Sequence, residues 1–125
     1  MRRLIASVGV LAVLLAVFAV GAWSNDSGLT VPIKVSPGTI ALRSKGTWVT
    51  VHADIPYSEV ASDSVALNGL GATLCFADDR GELVAKFSLA KVKAMVSPPE
   101  ATLTLTGATK DGTPFSGSDT VPVKE

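Results

Sequence analysis

The residues able to do chemistry are few and scattered. His52 is the sole histidine, Asp54 follows two residues on, and Cys75 is the sole cysteine. Alternation along a strand puts His52 and Asp54 on one face, so an Asp–His pair is available for proton transfer. No serine stands at nucleophile-elbow spacing, and a Ser-His-Asp set can be assembled around nearly any lone histidine. The expectation is a surface histidine and no catalytic residue. A thiol dyad would need Cys75 to meet His52, yet Cys75 lies between Leu74 and Phe76 and reads as a small buried hydrophobe. Structural zinc needs about four ligands, which one Cys and one His do not supply. Asp78, Asp79 and Glu82 surround Arg80 and Gly81, too few oxygens for the six to eight or so that calcium takes. These three carboxylates are weak metal candidates only, and no cofactor is expected, since no Gly-rich phosphate loop precedes a helix. The remaining candidate is a ligand platform of Trp48, Thr50, His52 and Tyr57, of the kind that stacks on sugars. Against it stands the simpler reading that Trp48 covers the edge of the core.

The elements that must position these residues read as short strands. Residues 47–55 alternate, with Val49, Val51, Ala53 and Ile55 on one face and Trp48, Thr50, His52 and Asp54 on the other. Val31, Ile33 and Val35 share a parity, and Pro32 marks an edge strand. Residues 64–67 and 70–76 form a predicted hairpin about Asn68-Gly69, a pair suited to the positive φ values of a I′ turn. Asp78-Asp79-Arg80-Gly81 turns into a strand over 82–87. Ser88 caps a helical turn whose Leu89, Val92, Met95 and Val96 fall at helical spacing. Residues 101–107 alternate again, with Leu103 and Leu105 inward, and a last strand near 118–123 carries Pro122, predicting a second edge. About seven short strands with one helical turn point to an all-β, two-sheet sandwich over residues 30–125.

The other end of the chain has a different character. Arg2 and Arg3 precede an uncharged apolar run over residues 4–20, and Val20-Gly21-Ala22 offers small residues at a cleavage position. Residues 1–22 therefore read as a signal peptide or an uncleaved signal anchor, and 23–29 as a flexible tether with a sequon at Asn25. Either way the positive-inside rule places the following domain outside the cytoplasmic membrane, touching the membrane only through this segment if it is retained. Acidic and basic residues number 11 each, so the domain left after the two arginines is slightly acidic. Such a balance gives no footprint for nucleic acid.

Two separated stretches resemble a known module. Val35-Ser36-Pro37-Gly38-Thr39-Ile40-Ala41-Leu42-Arg43-Ser44-Lys45-Gly46-Thr47-Trp48-Val49-Thr50-Val51 is similar to its opening, and Leu103-Thr104-Leu105-Thr106-Gly107 with Asp111-Gly112-Thr113-Pro114-Phe115-Ser116-Gly117-Ser118-Asp119-Thr120-Val121 to its ending. Residues 65–69 and 83–87 look like its middle strands. The module recurs in secreted and surface proteins of archaea and bacteria, and the likeness spans residues 31 to 123. It implies an immunoglobulin-like sandwich used outside the cell, with no particular activity attached. The family often carries an Asp-rich, calcium-like loop before the strand at 83–87; here the loop is reduced to residues 78–82, and Leu74 and Phe76 stand where earlier aspartates would fall.

The function expected from these residues is a non-enzymatic extracytoplasmic module, structural, adhesive or binding a ligand weakly, with an envelope protein or glycan as partner. Two alternatives stand beside it. One is an accessory subunit completed by a larger partner through edge strands near Pro32 and Pro122. The other is a small hydrolase or metal-dependent enzyme built on His52 with Asp54 or on the 78–82 turn.

Overall fold

Strict alternation decides the centre of the molecule. Along Trp48–Pro56 (β4) every second residue is buried, with Val49, Val51, Ala53 and Ile55 inward and Trp48, His52, Asp54 and Pro56 exposed. The computed structural model describes residues 28–125, and they form two sheets with one short helical turn. The four-stranded sheet is antiparallel in the order Ile33–Ser36 (β2), β4, Glu82–Ser88 (β8), Leu74–Ala77 (β7). The six-stranded sheet runs Leu29–Thr30 (β1), Pro114–Lys124 (β10), Glu100–Ala108 (β9), Ala66–Leu67 (β5), Leu70–Gly71 (β6), with Ile40–Ala41 (β3) also on β10. Both β1 and β3 lie parallel to β10. The leader and most of the tether expected over 1–22 and 23–29 lie outside the described residues.

One core joins the sheets. Val35, Val51 and Phe87 from the smaller sheet meet Leu103, Leu105 and Phe115 from the larger one. Full burial of a side chain such as Phe87 removes it from water for about 1.5–3 kcal/mol. The helical turn Leu89–Lys93 (α1) adds Leu89 and Val92 to this core, and the Ser88 hydroxyl caps it by accepting the Lys91 N–H at 3.3 Å. Met95, expected on the same apolar stripe, is 39% exposed. The helix stops at Lys93, short of Met95, while Val96 of the same stripe is buried in the core.

Three expectations are corrected by the pairing. Ten strands replace seven, because several are two residues long. The stretch 70–76 is two strands in different sheets: Ala72 still donates its N–H to Val65 O at 3.0 Å, whereas Thr73 donates to Lys86 O at 2.8 Å. The chain changes sheet between those two residues. Asn68 and Gly69 do turn the chain with φ of 48° and 86°. Pro122 is the third correction, for it lies in β10, an interior strand paired along its length with β9. It is tolerated because on the other side β1 pairs only at residues 115–116 and β3 only at 123–124, leaving Pro122 no ladder partner there.

Two features close the gap between β10 and the smaller sheet. Val31 donates its N–H to Ser116 O at 2.8 Å, and Val35 donates to the Asp119 carboxylate at 3.0 Å. The close approach needs glycine, since a Cβ at Gly117 would overlap the Val31 carbonyl and stand 2.8 Å from Ile33 Cγ2.

Candidate functional site

The outer face of the four-stranded sheet collects most of the chemically able residues. Register sets them in cross-strand rows: Lys34, His52, Val84 and Phe76 in one, Ser36, Thr50, Lys86 and Leu74 in the next, and Trp48 beside Ser88 beyond. Trp48 is 38% exposed, Leu74 50% and Phe76 37%, three of the five exposed large hydrophobics among the described residues. Trp48 lies on the outer face, outside the core cluster and beside Lys86. Lys86 stands between the rings, its Nζ 5.9 Å from the Trp48 centroid and 5.8 Å from that of Phe76. A diagonal neighbour on an adjacent strand is within reach of a long side chain, and this places the ammonium on both π faces. Val84 points to this outer face yet is only 2% exposed, flanked in its row by His52 and Phe76.

Of the four platform residues named from the sequence, the sheet brings together Trp48, Thr50 and His52. Tyr57 falls elsewhere. It follows β4 in a short 3-10 turn, Tyr57–Glu59, half-buried against the core, and its N–H donates to Gly81 O at 2.9 Å. Nine residues of extended chain separate it from Trp48, roughly 30 Å. The residues the sequence reading missed are Leu74, Phe76 and Lys86. Their signal was legible only as Leu74-Cys75-Phe76 facing Lys86 across the 78–81 turn, which requires the register.

At the other end of the same face lies an open depression of about 360 Å³, whose lining includes Lys34, His52, Asp54, Asp78, Arg80 and Glu82. A bulge between His52 and Pro56 shifts the β4–β8 register and pairs Pro56 with Glu82. The Asp54 carboxyl beside Glu82 raises the Glu82 pKa, while Arg80 holds Glu82 at 2.7 Å and opposes the rise. Asp78 Oδ1 accepts the Glu82 N–H at 3.0 Å and the Arg80 N–H at 2.8 Å, and those bonds hold its pKa below the usual range. One oxygen of Asp78 is thus engaged by the hairpin backbone and one of Glu82 by Arg80. Among the described residues no group of three or more His, Cys, Asp or Glu is placed to hold a metal ion. Asp79 is exposed at the tip of the turn.

Cys75 lies on the opposite side of its sheet from His52. It pairs with Ala85, whose side chain is buried, and packs against the core. Burial pushes its thiol pKa up. The two residues do not form a dyad. What the assembled face can do chemically is bind: two aromatic rings, a leucine and a fixed ammonium suit a flat ligand with apolar and polar edges.

No protein-family model matches the chain, and a search of the curated proteins finds no match. Among the described residues no helix is long and apolar enough to cross a membrane.

Proposed function

We propose that this chain is a non-enzymatic module of the cell envelope, exported by its first 22 residues, whose working surface is the outer face of the four-stranded sheet. The observation that carries the reading is the gathering of Trp48, Leu74 and Phe76 around Lys86 on one solvent-facing surface. Single exposed hydrophobics are ordinary on a protein surface, whereas a contiguous group marks a contact site. An immunoglobulin-like arrangement of the two sheets belongs to this reading, supported by the resemblance of residues 31 to 123 to the secreted module. The partner class is an envelope glycan, because ring stacking with an adjacent cation recognises the apolar face of a sugar and its hydroxyl or carboxylate edge.

The test is binding of the full chain to a panel of neutral and acidic polysaccharides and to envelope extracts, followed by tryptophan fluorescence and calorimetry. The reading expects saturable binding to a polysaccharide with a change in tryptophan emission that Trp48→Phe abolishes. Binding to none of the polysaccharides, or turnover of any of them, would overturn it.

A further inference from the structure

We propose that β7 is a docking edge for a second copy of this chain, the two β7 strands pairing antiparallel about a two-fold axis at Cys75. Sheet edges offer unpaired N–H and C=O groups, and native proteins guard them with prolines, lysines, short strands or covering elements. Among the described residues the other sheet edges are guarded or very short, β3 being two residues long. On β2 the outward N–H of Val35 is taken by Asp119 at 3.0 Å, and β1 and β6 are two residues long. β7 has four residues, Leu74-Cys75-Phe76-Ala77, with no charge, no proline and two half-exposed hydrophobics.

Its free backbone groups follow from the ladder. Asp78 donates its N–H to Glu82 O at 2.8 Å, so alternation turns residues 74, 76 and 78 toward β8 and leaves Cys75 and Ala77 facing outward. A two-fold axis at Cys75 sets Leu74 of each copy opposite the second copy's Phe76. The same apolar pair then forms twice along the seam, side by side on the outer face. Charge agrees with this direction. The Asp78-Asp79 turn lies at one end of β7 and Lys86 pairs with Leu74 at the other, so antiparallel docking brings unlike ends together. The product is one continuous eight-stranded sheet bearing two Trp48–Lys86–Phe76 surfaces on one side. This inference does not rest on the glycan reading, since it concerns mass and not ligand.

The experiment is sedimentation equilibrium of the full chain in mild detergent, over a concentration series, for wild type, Met95→Lys and the double variant Leu74→Lys with Phe76→Lys. Wild type and Met95→Lys are expected to form dimers, with association of the double variant weakened roughly tenfold or more. Circular dichroism checks that the double variant is folded. If it is not, a short bismaleimide applied to wild type decides, because the two Cys75 Cα atoms would stand about 5.5 Å apart. A cross-linked dimer supports the pairing. Monomer at every concentration, dimerisation undiminished by the two lysines, or a Cys75 link only to a different protein would overturn it.

Discussion

Lys86 bridges two aromatic rings: its ammonium lies 5.9 Å from the Trp48 centroid and 5.8 Å from that of Phe76, one from each neighbouring strand. Each such contact at an exposed site contributes about 0.5–1 kcal/mol. Lys86→Gln is therefore expected to lower unfolding free energy by about 1–2 kcal/mol if both contacts count, while Lys86→Arg keeps most of it. Urea unfolding of the three proteins measures this, and equal stability of the Gln variant contradicts the bridge.

Asp119 closes the edge of the smaller sheet from across the sandwich. Its carboxylate accepts the Val35 N–H at 3.0 Å, and Val35 itself is 1% exposed. Removing the acceptor strands a poorly hydrated donor, at about 1–3 kcal/mol. Asp119→Ala should lose that amount and expose the Val35 amide to hydrogen exchange. Asp119→Asn, which keeps an oxygen in place, should lose less.

Gly117 is required by the approach of Val31 and Ile33. A methyl group there overlaps a backbone carbonyl, which cannot swing aside as a side-chain tip can. Gly117→Ala is expected to cost about 1–3 kcal/mol. Gly38, whose Cβ would meet nothing within 4 Å, supplies the control, and Gly38→Ala should be near neutral. Thermal unfolding of both variants separates crowding from glycine replacement in general.

Asp78 and Glu82 act on pH dependence with opposite signs. The backbone N–H of Glu82, helped by that of Arg80, depresses the Asp78 pKa. Its stabilisation is present above the unfolded-state pKa and is lost as pH falls through the lower folded value. Glu82 is raised, first by the Asp54 carboxyl beside it. Its stabilisation is complete below the unfolded pKa and is lost as pH rises through the higher folded value. Carboxyl NMR titration should find Asp78 below and Glu82 above their ordinary ranges, and Asp54→Ala should move Glu82 down. An unmoved Glu82 would contradict the pairing of these two acids.

The parts of this molecule legible in sequence are those fixed by local physics. Alternation in 47–55 and 101–107, the Asn68-Gly69 turn and the Ser88 cap each depend on a few neighbouring residues, and the structure places them as read. What was not legible depends on contacts distant in the chain. The sheet change at Ala72–Thr73 turns on whether Val65 or Lys86 accepts the next N–H, which no local pattern states. Pro122 suggested an edge because a missing donor is visible and a gap between β1 and β3 is not. The site shows the same division. Trp48, Thr50 and His52 share a face by parity alone, whereas Lys86 and Phe76 join them only through the pairing of β8 with both its neighbours. Tyr57 shares only their residue type, and its place in the turn beyond Pro56 separates it from them.

The most direct test of the central claim compares two alterations of exposed apolar residues in the full chain. Trp48→Ala with Phe76→Ala empties the surface around Lys86, and Met95→Ala removes an equally exposed side chain elsewhere. Measured by calorimetry against the polysaccharide that wild type binds most tightly, the double variant should lose binding by roughly a hundredfold, at about 1–3 kcal/mol per stacked ring in comparable recognition. Met95→Ala should bind as wild type does, with both variants folded. Undiminished affinity in the double variant would contradict the assignment of this face as the working surface.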